Sequence, residues 1–366
     1  MKSIKYNSSK QDNEVFEEIK ERITSYFKAT HQSPYANTEM IVKMVWWLLL
    51  FVLTYAALIV FRQQALWVVV FGTAHLLTHV MIAFNITHDA NHQALFASKS
   101  WNKAFSYLIE LLGCNRKLWV LAHNQEHHSF TNIHEQDNNI QGYKLLRLCP
   151  HDRHYFFHQF QWLYAPLVYG LSTLNFATFR DIKMMIRYTA SGKLKWSIAF
   201  IIEFVCFKAI YFSYLFFIPH YIFGIGFTYL ILFFLIGHLL NGVFLALVFV
   251  TGHLTEATAF PEVQNNSIPN NWAMHVIQTT GDYANRTLFW QWLVGGINLH
   301  VAHHLFPKIC HVHYKNIAPI IKEVVLKHGY AYREIPTFTQ ALQSHFVLLK
   351  QLGQEQFTAS TNYQAA

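Results

Sequence analysis

Long stretches without a charged side chain constrain this chain more than any other feature. Residues 44 to 61, 66 to 84 and 221 to 250 are apolar and uncharged, and each reaches the roughly 18 residues that suggest a membrane-spanning helix. A fourth apolar run, residues 196 to 218, contains Glu203 and Lys208, which we expect to pair or to extend toward the membrane surface. Only 13% of the 366 residues are charged, against roughly 25% in soluble domains. The chain is therefore predicted to be an integral membrane protein.

The spacing of the apolar runs predicts two helical hairpins, with spans at about residues 41–61, 66–84, 196–218 and 221–250. The first pair is joined by the turn RQQA and the second through Pro219. Residues 160–179 are long enough to cross, but they are rich in polar side chains and contain Pro166 and Gly170. An even number of spans must separate histidine motifs that share one site, so this segment is interpreted as interfacial or re-entrant. Residues 1–40 are predicted to form a cytosolic amphipathic segment, 41–352 the membrane domain and 353–366 a tail.

The net charge of +8 is distributed as expected for a membrane protein. Of the 28 Lys and Arg residues, 26 lie before residue 44, between 85 and 195 or after 250, which leaves only Arg62 and Lys208. Basic residues beside spans are the positive-inside signature, so nucleic acid is not expected as a partner, whereas membrane lipid is. The first forty residues are polar and resemble no cleavable signal. We therefore expect a multi-pass protein with both termini and its active site in the cytosol, in the inner membrane if the source is bacterial.

Three histidine motifs carry the chemical information: HDANH at 88–92, HNQEHH at 123–128 and HVAHH at 300–304. Residues four apart lie on one face of an α-helix, so each motif is expected to present two or three imidazoles together. The predicted metal ligands are His88, His92, His123, His127, His128, His300, His303 and His304. Eight imidazoles exceed the four ligands of a closed zinc site and suit two metal ions.

The metal itself is inferred from where the motifs lie. Imidazole suits Zn, Cu, Fe and Ni alike, but zinc does not change its redox state. Because the motifs follow spans and lie beside the hydrocarbon layer, two iron ions that activate O2 against an unactivated C–H bond fit best. Residues 221–250 would form a helix about 45 Å long, longer than the hydrocarbon core of about 30 Å, which should carry His253 toward the motifs. A structural role is expected for His75, His79, His151, His154, His158, His238 and His328.

In their order and spacing, the three motifs resemble the histidine boxes of the membrane fatty acid desaturase family, over roughly residues 66 to 352. WAMHVIQTTGDYA at 272–284 and GGINLHVAHHLFP at 295–307 resemble bacterial acyl-lipid and acyl-CoA desaturases with front-end-like third boxes. The resemblance implies an all-α fold of four transmembrane helices in two hairpins, with a cytosolic helical cap that holds two non-haem irons. It also implies O2 as co-substrate, the eight histidines as ligands, and a ninth ligand, for which His253 fits best and His275 is the fallback.

The resemblance further implies a fatty acyl substrate linked to CoA, a carrier protein or a glycerolipid. The His-Pro-Gly-Gly of a fused cytochrome b5 module does not occur, so a separate electron donor of ferredoxin or cytochrome b5 type is expected. Two positions depart from the family: His300 stands where front-end relatives usually carry Gln, and Phe249 where relatives carry Asn. Further candidates to bind a metal or to orient its ligands are Asn298, Asp89, Glu126 and Glu256.

Two other functions remain open at this level. An acyl hydroxylase or a carotenoid-modifying oxygenase could use the same scaffold, and the boxes alone do not exclude either. A membrane metal, proton or electron carrier is less well supported, because transporters place their sites near the bilayer midplane, often between repeats. The histidine motifs here lie outside the predicted spans, and the sequence has no repeat.

Overall fold

A computed structural model describes residues 4–141 and 144–354. The predicted C-terminal tail therefore lies outside the described residues from position 355 onward. In chain order the α-helices are α1 Lys10–Thr30, α2 Thr38–Val60, α3 Ala65–Ile82, α4 His88–Asn91, α5 Lys99–Ser106, α6 Leu108–Leu111, α7 Arg116–Val120, α8 Gln161–Gly170, α9 Ser172–Asn175, α10 Asp181–Ala190, α11 Ile198–Phe212, α12 Phe227–His253, α13 Trp272–Thr279, α14 Leu288–Leu293, α15 His300–Leu305, α16 Tyr314–Lys327 and α17 Phe338–Leu352.

Shorter regular segments complete the list. π-helical turns occupy Ala83–Thr87, Leu121–His127, Phe176–Arg180 and Ser213–Ile222, and 3-10 turns occupy Asn138–Ile140, Phe156–Phe160 and His311–His313. The strands are β1 Lys5–Tyr6, β2 Ser267–Ile268, β3 Asp282–Tyr283 and β4 Glu334–Ile335, paired in parallel as β1 with β2 and β3 with β4. The fold is mostly helical, and these two-residue pairs are the exception to the predicted all-α class.

The chain divides into two compact units. The span unit comprises residues 38–120 and 166–246, and the histidine unit comprises 1–37, 121–165 and 247–366. Both units are discontinuous in sequence, because the chain passes from one to the other four times. The predicted N-terminal segment and the residues after the fourth span thus belong to one unit.

The span unit is built on long apolar helices. Within the described residues, four helices are long and apolar enough to cross a membrane: Thr38–Val60, Ala65–Asn91, Ile198–Ile222 and Phe227–His253. The number of candidate spans equals the number predicted from the sequence, and residues 160–179, which form α8, α9 and a π-helical turn, are not among them. Leu58, Leu76, Tyr211 and Phe233 are fully buried at the centre of this unit.

The second hairpin turns at a different place from the one predicted. Pro219 lies inside the π-helical turn Ser213–Ile222, whereas the chain reverses at residues 223–226, where Gly224 has a φ of 70°. Glycine adopts this left-handed conformation without the steric penalty of a side chain, so Gly224 and not Pro219 makes the turn. The fourth span is consequently shorter than predicted at its start and longer at its end, with 27 residues from Phe227 to His253.

A charged group inside the span unit is paired differently from the prediction. Lys208 Nζ lies 2.8 Å from a carboxylate oxygen of Asp181 and 2.7 Å from the Gly113 carbonyl oxygen, so its partner is Asp181 and not Glu203. Asp181 also accepts a hydrogen bond from the Asn115 backbone N–H. A partly buried cation is tolerated when it is paired and hydrogen-bonded in this way.

The histidine unit has its own apolar core. The amphipathic helix α1 begins at the N-cap Ser9, whose Oγ accepts the Asp12 N–H, and buries Val15, Ile19 and Ile23. These side chains pack in one cluster with residues of α13, α15 and α16. The predicted N-terminal segment is therefore a core helix of the unit that carries the second and third histidine boxes.

Candidate metal centre

Four of the predicted ligands meet at one point of the histidine unit. The Nε2 atom of His253, at the end of α12, lies 3.1 Å from His127 Nε2, 2.6 Å from His300 Nε2 and 3.1 Å from His304 Nε2. All four side chains are buried. We call His127, His253, His300 and His304 the first histidine group, which brings together the second box, the third box and the fourth span.

The other ring nitrogen of these histidines, Nδ1, faces a hydrogen-bond acceptor in His127, His253 and His300. His127 Nδ1 lies 3.0 Å from both carboxylate oxygens of Asp137, His253 Nδ1 lies 3.2 Å from the Thr279 carbonyl, and His300 Nδ1 lies 2.7 Å from the Ile297 carbonyl. A neutral imidazole carries one N–H, and these acceptors can be satisfied only if that N–H is on Nδ1. The Nε2 atoms therefore present lone pairs to one another.

This arrangement fits a metal ion. Converging lone pairs in a buried site repel each other unless a proton or a cation lies between them. Burial and the neighbouring histidines hold the pKa of His304 well below its usual value, which disfavours the imidazolium and leaves the neutral form that binds metals. Imidazole nitrogens bind at about 2.1 Å from a metal, which separates neighbouring ligand atoms by about 3 Å, close to the distances seen here.

The second box is π-helical, which divides its histidines in a way that the sequence analysis did not predict. The His128 N–H donates to the His123 carbonyl five residues earlier, at 3.0 Å. Residues five apart are therefore neighbours, and His123 Nε2 lies 3.2 Å from His128 Nε2. The expectation of an α-helix through this box is therefore wrong, because a π-helical turn changes the period, although the His123 and His127 rings are still stacked with centroids 5.4 Å apart.

A second grouping is formed by His128, His303 and His304, whose donor atoms lie within 4.8 Å of one another. The rings of His128 and His304 are stacked with centroids 4.2 Å apart. In α15, residues four apart share a face as predicted, and His300 and His304 both belong to the first group. His303 instead lies with His128 and His304. We call His128, His303 and His304 the second histidine group.

Neighbouring residues hold the third box in position. Asp282 in β3 accepts the Val301 N–H at 3.0 Å at the start of α15 and the Tyr332 hydroxyl at 2.5 Å. Burial raises the pKa of Asp282 to about 6. Gly252 faces the His300 ring so closely that a Cβ atom would lie 2.8 Å from His300 Cγ and Cδ2.

The first box belongs to the span unit. His88 and His92 lie at the end of the helix that begins at Ala65, directly after the π-helical turn Ala83–Thr87. Both side chains are buried, their ring centroids are 4.8 Å apart, and both rings pack edge-on against Trp119. The helical spacing of this box is as predicted, although the helix extends seven residues beyond the predicted end of the span at residue 84.

The other candidate residues differ in their surroundings. His275 is buried against the Tyr6 ring, with centroids 5.5 Å apart, and belongs to neither histidine group, so the geometry favours His253 over His275. Asn298 is buried and donates to the Tyr283 carbonyl at 3.2 Å. Asp89 lies 3.9 Å from His88 Nδ1, and Glu126 accepts a hydrogen bond from Asn138.

Glu256 does not fit the predicted role of orienting a ligand. It is exposed, and its carboxylate bonds to Ser344 and Gln351, both on α17. Glu256 lies three residues beyond His253, where α12 ends, and therefore outside the helix that carries this candidate ligand.

Two residues beside the site were missed. Asp137 is fully buried and accepts hydrogen bonds from His127, from the Asn132 N–H at 3.0 Å and from the Asn139 N–H at 2.8 Å. The Asn132 side chain donates to the His253 carbonyl at 2.9 Å and to the Ala259 carbonyl at 3.1 Å. The acidic HEQDNN stretch after the second box was an available signal, because ligating histidines commonly donate to a carboxylate.

Several histidines of the span unit have the ordinary partners of structural side chains. His75 Nδ1 lies 3.1 Å from the Phe51 carbonyl, His79 Nε2 lies 3.2 Å from the Tyr214 hydroxyl, and His238 Nε2 lies 2.9 Å from the Tyr211 hydroxyl. These partners satisfy the rings without a metal. The structural role expected for them agrees with this geometry.

Comparison with known proteins places these residues in a family. Residues 65–336, which contain all three boxes and His253, match the family model described as fatty acid desaturase. The chain is 29% identical over 93% of its length to an acyl-lipid (8-3)-desaturase of Physcomitrium patens and covers 72% of that protein. It is 28% identical to the sn-1 linoleoyl-lipid 6-desaturase of Synechocystis sp., with 92% of this chain and 94% of the relative aligned. It is 30% identical to the enzyme of the same description from Arthrospira platensis, with 92% and 91% aligned.

Proposed function

Since this chain belongs to the fatty acid desaturase family, we propose that it introduces a cis double bond into a lipid-linked fatty acyl chain, using O2 and two histidine-bound non-haem iron ions. Family membership makes the protein an oxidoreductase of lipid metabolism. The observation that carries the rest of the proposal is the convergence of four Nε2 atoms in the first histidine group.

The ligands of the proposed centre follow from the groups and the boxes. His127, His253, His300 and His304 would hold one iron. His123, His128 and His303 would hold the other, together with His88 and His92, which are assigned from the first box of the family and not from geometry. When bound, the two ions would supply the O2 activation needed to attack an unactivated C–H bond.

The residues of the chain have defined tasks in this reaction. Carbonyl and carboxylate acceptors keep the Nδ1–H tautomers of His127, His253 and His300, which holds their Nε2 lone pairs toward the site. The overall reaction removes one hydrogen from each of two adjacent methylenes and consumes O2, two electrons and two protons. Its products are the alkene and two water molecules. The electrons would come from a separate ferredoxin or cytochrome b5 type donor.

The substrate is proposed from the relatives. The names of the Physcomitrium and Synechocystis proteins describe enzymes that act on acyl lipids, so a glycerolipid-linked acyl chain is favoured over an acyl-CoA or an acyl carrier protein. The four apolar helices would place the enzyme in the membrane, where such a substrate resides.

Expression in a host with simple fatty acids tests the proposal directly. Gas chromatography and mass spectrometry of the lipid and CoA fractions should show a new cis double bond, first in the lipid fraction. A product with an added oxygen would instead identify an acyl hydroxylase, and an unchanged lipid profile in the presence of a competent electron donor would refute the desaturase assignment.

Metal analysis of the purified chain provides a second test. The protein should contain about two iron ions, and His127→Ala or His304→Ala should lower that content and abolish activity. His154→Ala is the matched control, because this ring bonds to the Gly353 carbonyl and belongs to neither histidine group. Stoichiometric zinc without iron in an active preparation would contradict the di-iron centre.

A further inference from the structure

The Nδ1 atoms of the first histidine group do not all face the same kind of acceptor. His253 and His300 donate to backbone carbonyls, and His304 Nδ1 has the Thr131 hydroxyl at 3.5 Å. Of these four Nδ1 contacts, the one made by His127 is to a carboxylate, that of Asp137. A carboxylate is a stronger acceptor than a carbonyl and draws the Nδ1 proton toward itself. The ring of His127 is therefore a stronger donor through Nε2 than a carbonyl acceptor would make it.

Asp137 is held rigidly for this contact. Its side chain is fully buried, and its oxygens accept the His127 Nδ1–H and two backbone N–H groups, those of Asn132 and Asn139. Three donors satisfy the carboxylate oxygens in a buried position, where unsatisfied polar atoms would be costly. The hydrogen bond from His127 is also electrostatically stronger in the low dielectric of the interior than it would be at the surface.

Asn132 connects this pair to the fourth span. The residue has a φ of 58°, and its side-chain amide donates to the His253, Ala259 and Thr279 carbonyls. The Thr279 carbonyl is also the acceptor of His253 Nδ1. A continuous hydrogen-bond path therefore links His127 with His253 through Asp137 and Asn132, although the two histidines come from distant parts of the chain.

From this geometry we propose that Asp137 tunes the first histidine group: by strengthening His127 as a donor, it lowers the reduction potential of the metal that this group would hold. Asn132 is the positioning residue that keeps His127 and His253 in register around that metal. The inference rests on the proposed di-iron function. It predicts that the potential of this metal rises when the carboxylate is replaced, because stronger donors stabilise the higher oxidation state.

The test compares full-length wild type with Asp137→Asn after iron loading. Iron content, the Mössbauer spectrum and the two midpoint potentials are measured. We expect both irons to be retained and one potential to rise by about 60 mV, a tenfold change in a one-electron equilibrium constant, with a fall in kcat and an unchanged KM. Retained iron with two unchanged potentials would overturn the inference.

Two further variants separate charge from shape. Asp137→Glu keeps the carboxylate, so a potential close to that of wild type is expected. If Asp137→Asn loses iron, recovery of iron in Asp137→Glu supports the role of the charge, and equal loss in both refutes it. Asn132→Gly keeps the positive φ and the backbone N–H and removes only the amide, so it should weaken iron binding about 10-fold to 100-fold without a shift in potential.

The measurements distinguish a failure of the proposed function from a failure of this inference. Wild-type protein without two irons would refute the di-iron centre before any variant is compared. Two irons in the wild type, with both potentials unchanged in Asp137→Asn, would leave the desaturase assignment intact and refute only the role of Asp137.

Discussion

His300 reaches the first histidine group because residue 252 has no side chain. A Cβ atom on Gly252 would lie 2.8 Å from two atoms of the His300 ring, closer than such contacts occur in proteins. The ring is fixed on its other side by the hydrogen bond from Nδ1 to the Ile297 carbonyl. The imidazole therefore cannot move aside without losing either this bond or its approach to His253.

Gly252→Ala is accordingly expected to displace His300 by about 1 Å and to reduce desaturation about 100-fold, with partial loss of iron. The measurements are product yield at matched expression level and iron per protein. Gly281→Ala serves as the control, since the nearest atom to its added Cβ, Arg333 Cβ, lies at an ordinary 3.5 Å. Wild-type activity in Gly252→Ala would show that His300 has room to move or is not a ligand.

At the level of elements, the π-helical turn Leu121–His127 brings the Nε2 atoms of His123 and His128 to 3.2 Å from each other. His127 Nε2 lies 3.1 Å from His253 Nε2 in the first group, although the His123 and His127 rings also stack with centroids 5.4 Å apart. If the two groups hold separate metals, this turn sets which metal each histidine of the second box would serve. Such turns are rare and occur often at functional sites.

Deletion of Gln125 should convert this turn toward an α-helix and bring His123 into line with His127. Gln125 is exposed, so Gln125→Ala should be almost neutral, whereas the deletion should lose at least one iron per chain and all activity. Iron analysis and circular dichroism would distinguish a rearranged site from an unfolded protein. Two irons and full activity in the deletion variant would contradict the assignment of His127 and His128 to different groups.

Within the span unit, α12 and the end of α8 approach through glycines. A Cβ atom on Gly242 would lie 2.3 Å from the Gly170 carbonyl oxygen, and backbone cannot rotate away as a side chain can. Small residues permit such close helix contacts in membranes.

Gly242→Ala is therefore expected to destabilise the protein by about 1–3 kcal/mol, the usual cost of overpacking. Thermal unfolding in detergent would measure the change, with Leu240→Ala on an exposed position of the same helix as the control. A midpoint no lower than that of Leu240→Ala would mean that the two helices separate more easily than this geometry allows.

At the scale of the whole molecule, the four candidate spans set the sidedness of the connecting segments. Two precede residue 120 and two follow residue 190. Segments separated by two spans must lie on one side of the membrane.

Tags at the N-terminus, near Lys144 and after Leu352 are thus expected on the same side, which we predict to be the cytosolic side from the placement of Lys and Arg. Protease protection in sealed vesicles or accessibility of single cysteines would report the position of each tag. Opposite sides for Lys144 and Leu352 would mean that residues 160–179 cross the bilayer.

The sequence by itself determined the class of the protein and most of its candidate ligands. Apolar length and the absence of charge are local properties, so the four spans follow from them within a few residues at most ends. The histidine boxes are short and helical, and their internal spacing is also local. For the same reason the sequence predicted His300 and His304 on one face of α15, as the structure has them.

Only the tertiary structure decided how those ligands are shared and supported. The π-helical second box, the turn at Gly224 and the pairing of Lys208 with Asp181 depend on hydrogen bonds and packing between segments far apart in sequence. The same is true of Gly252 beside His300 and of the path from His127 through Asp137 and Asn132 to His253. A periodicity argument considers one segment at a time, whereas the positions of these groups are fixed by contacts that exist only after the chain has folded.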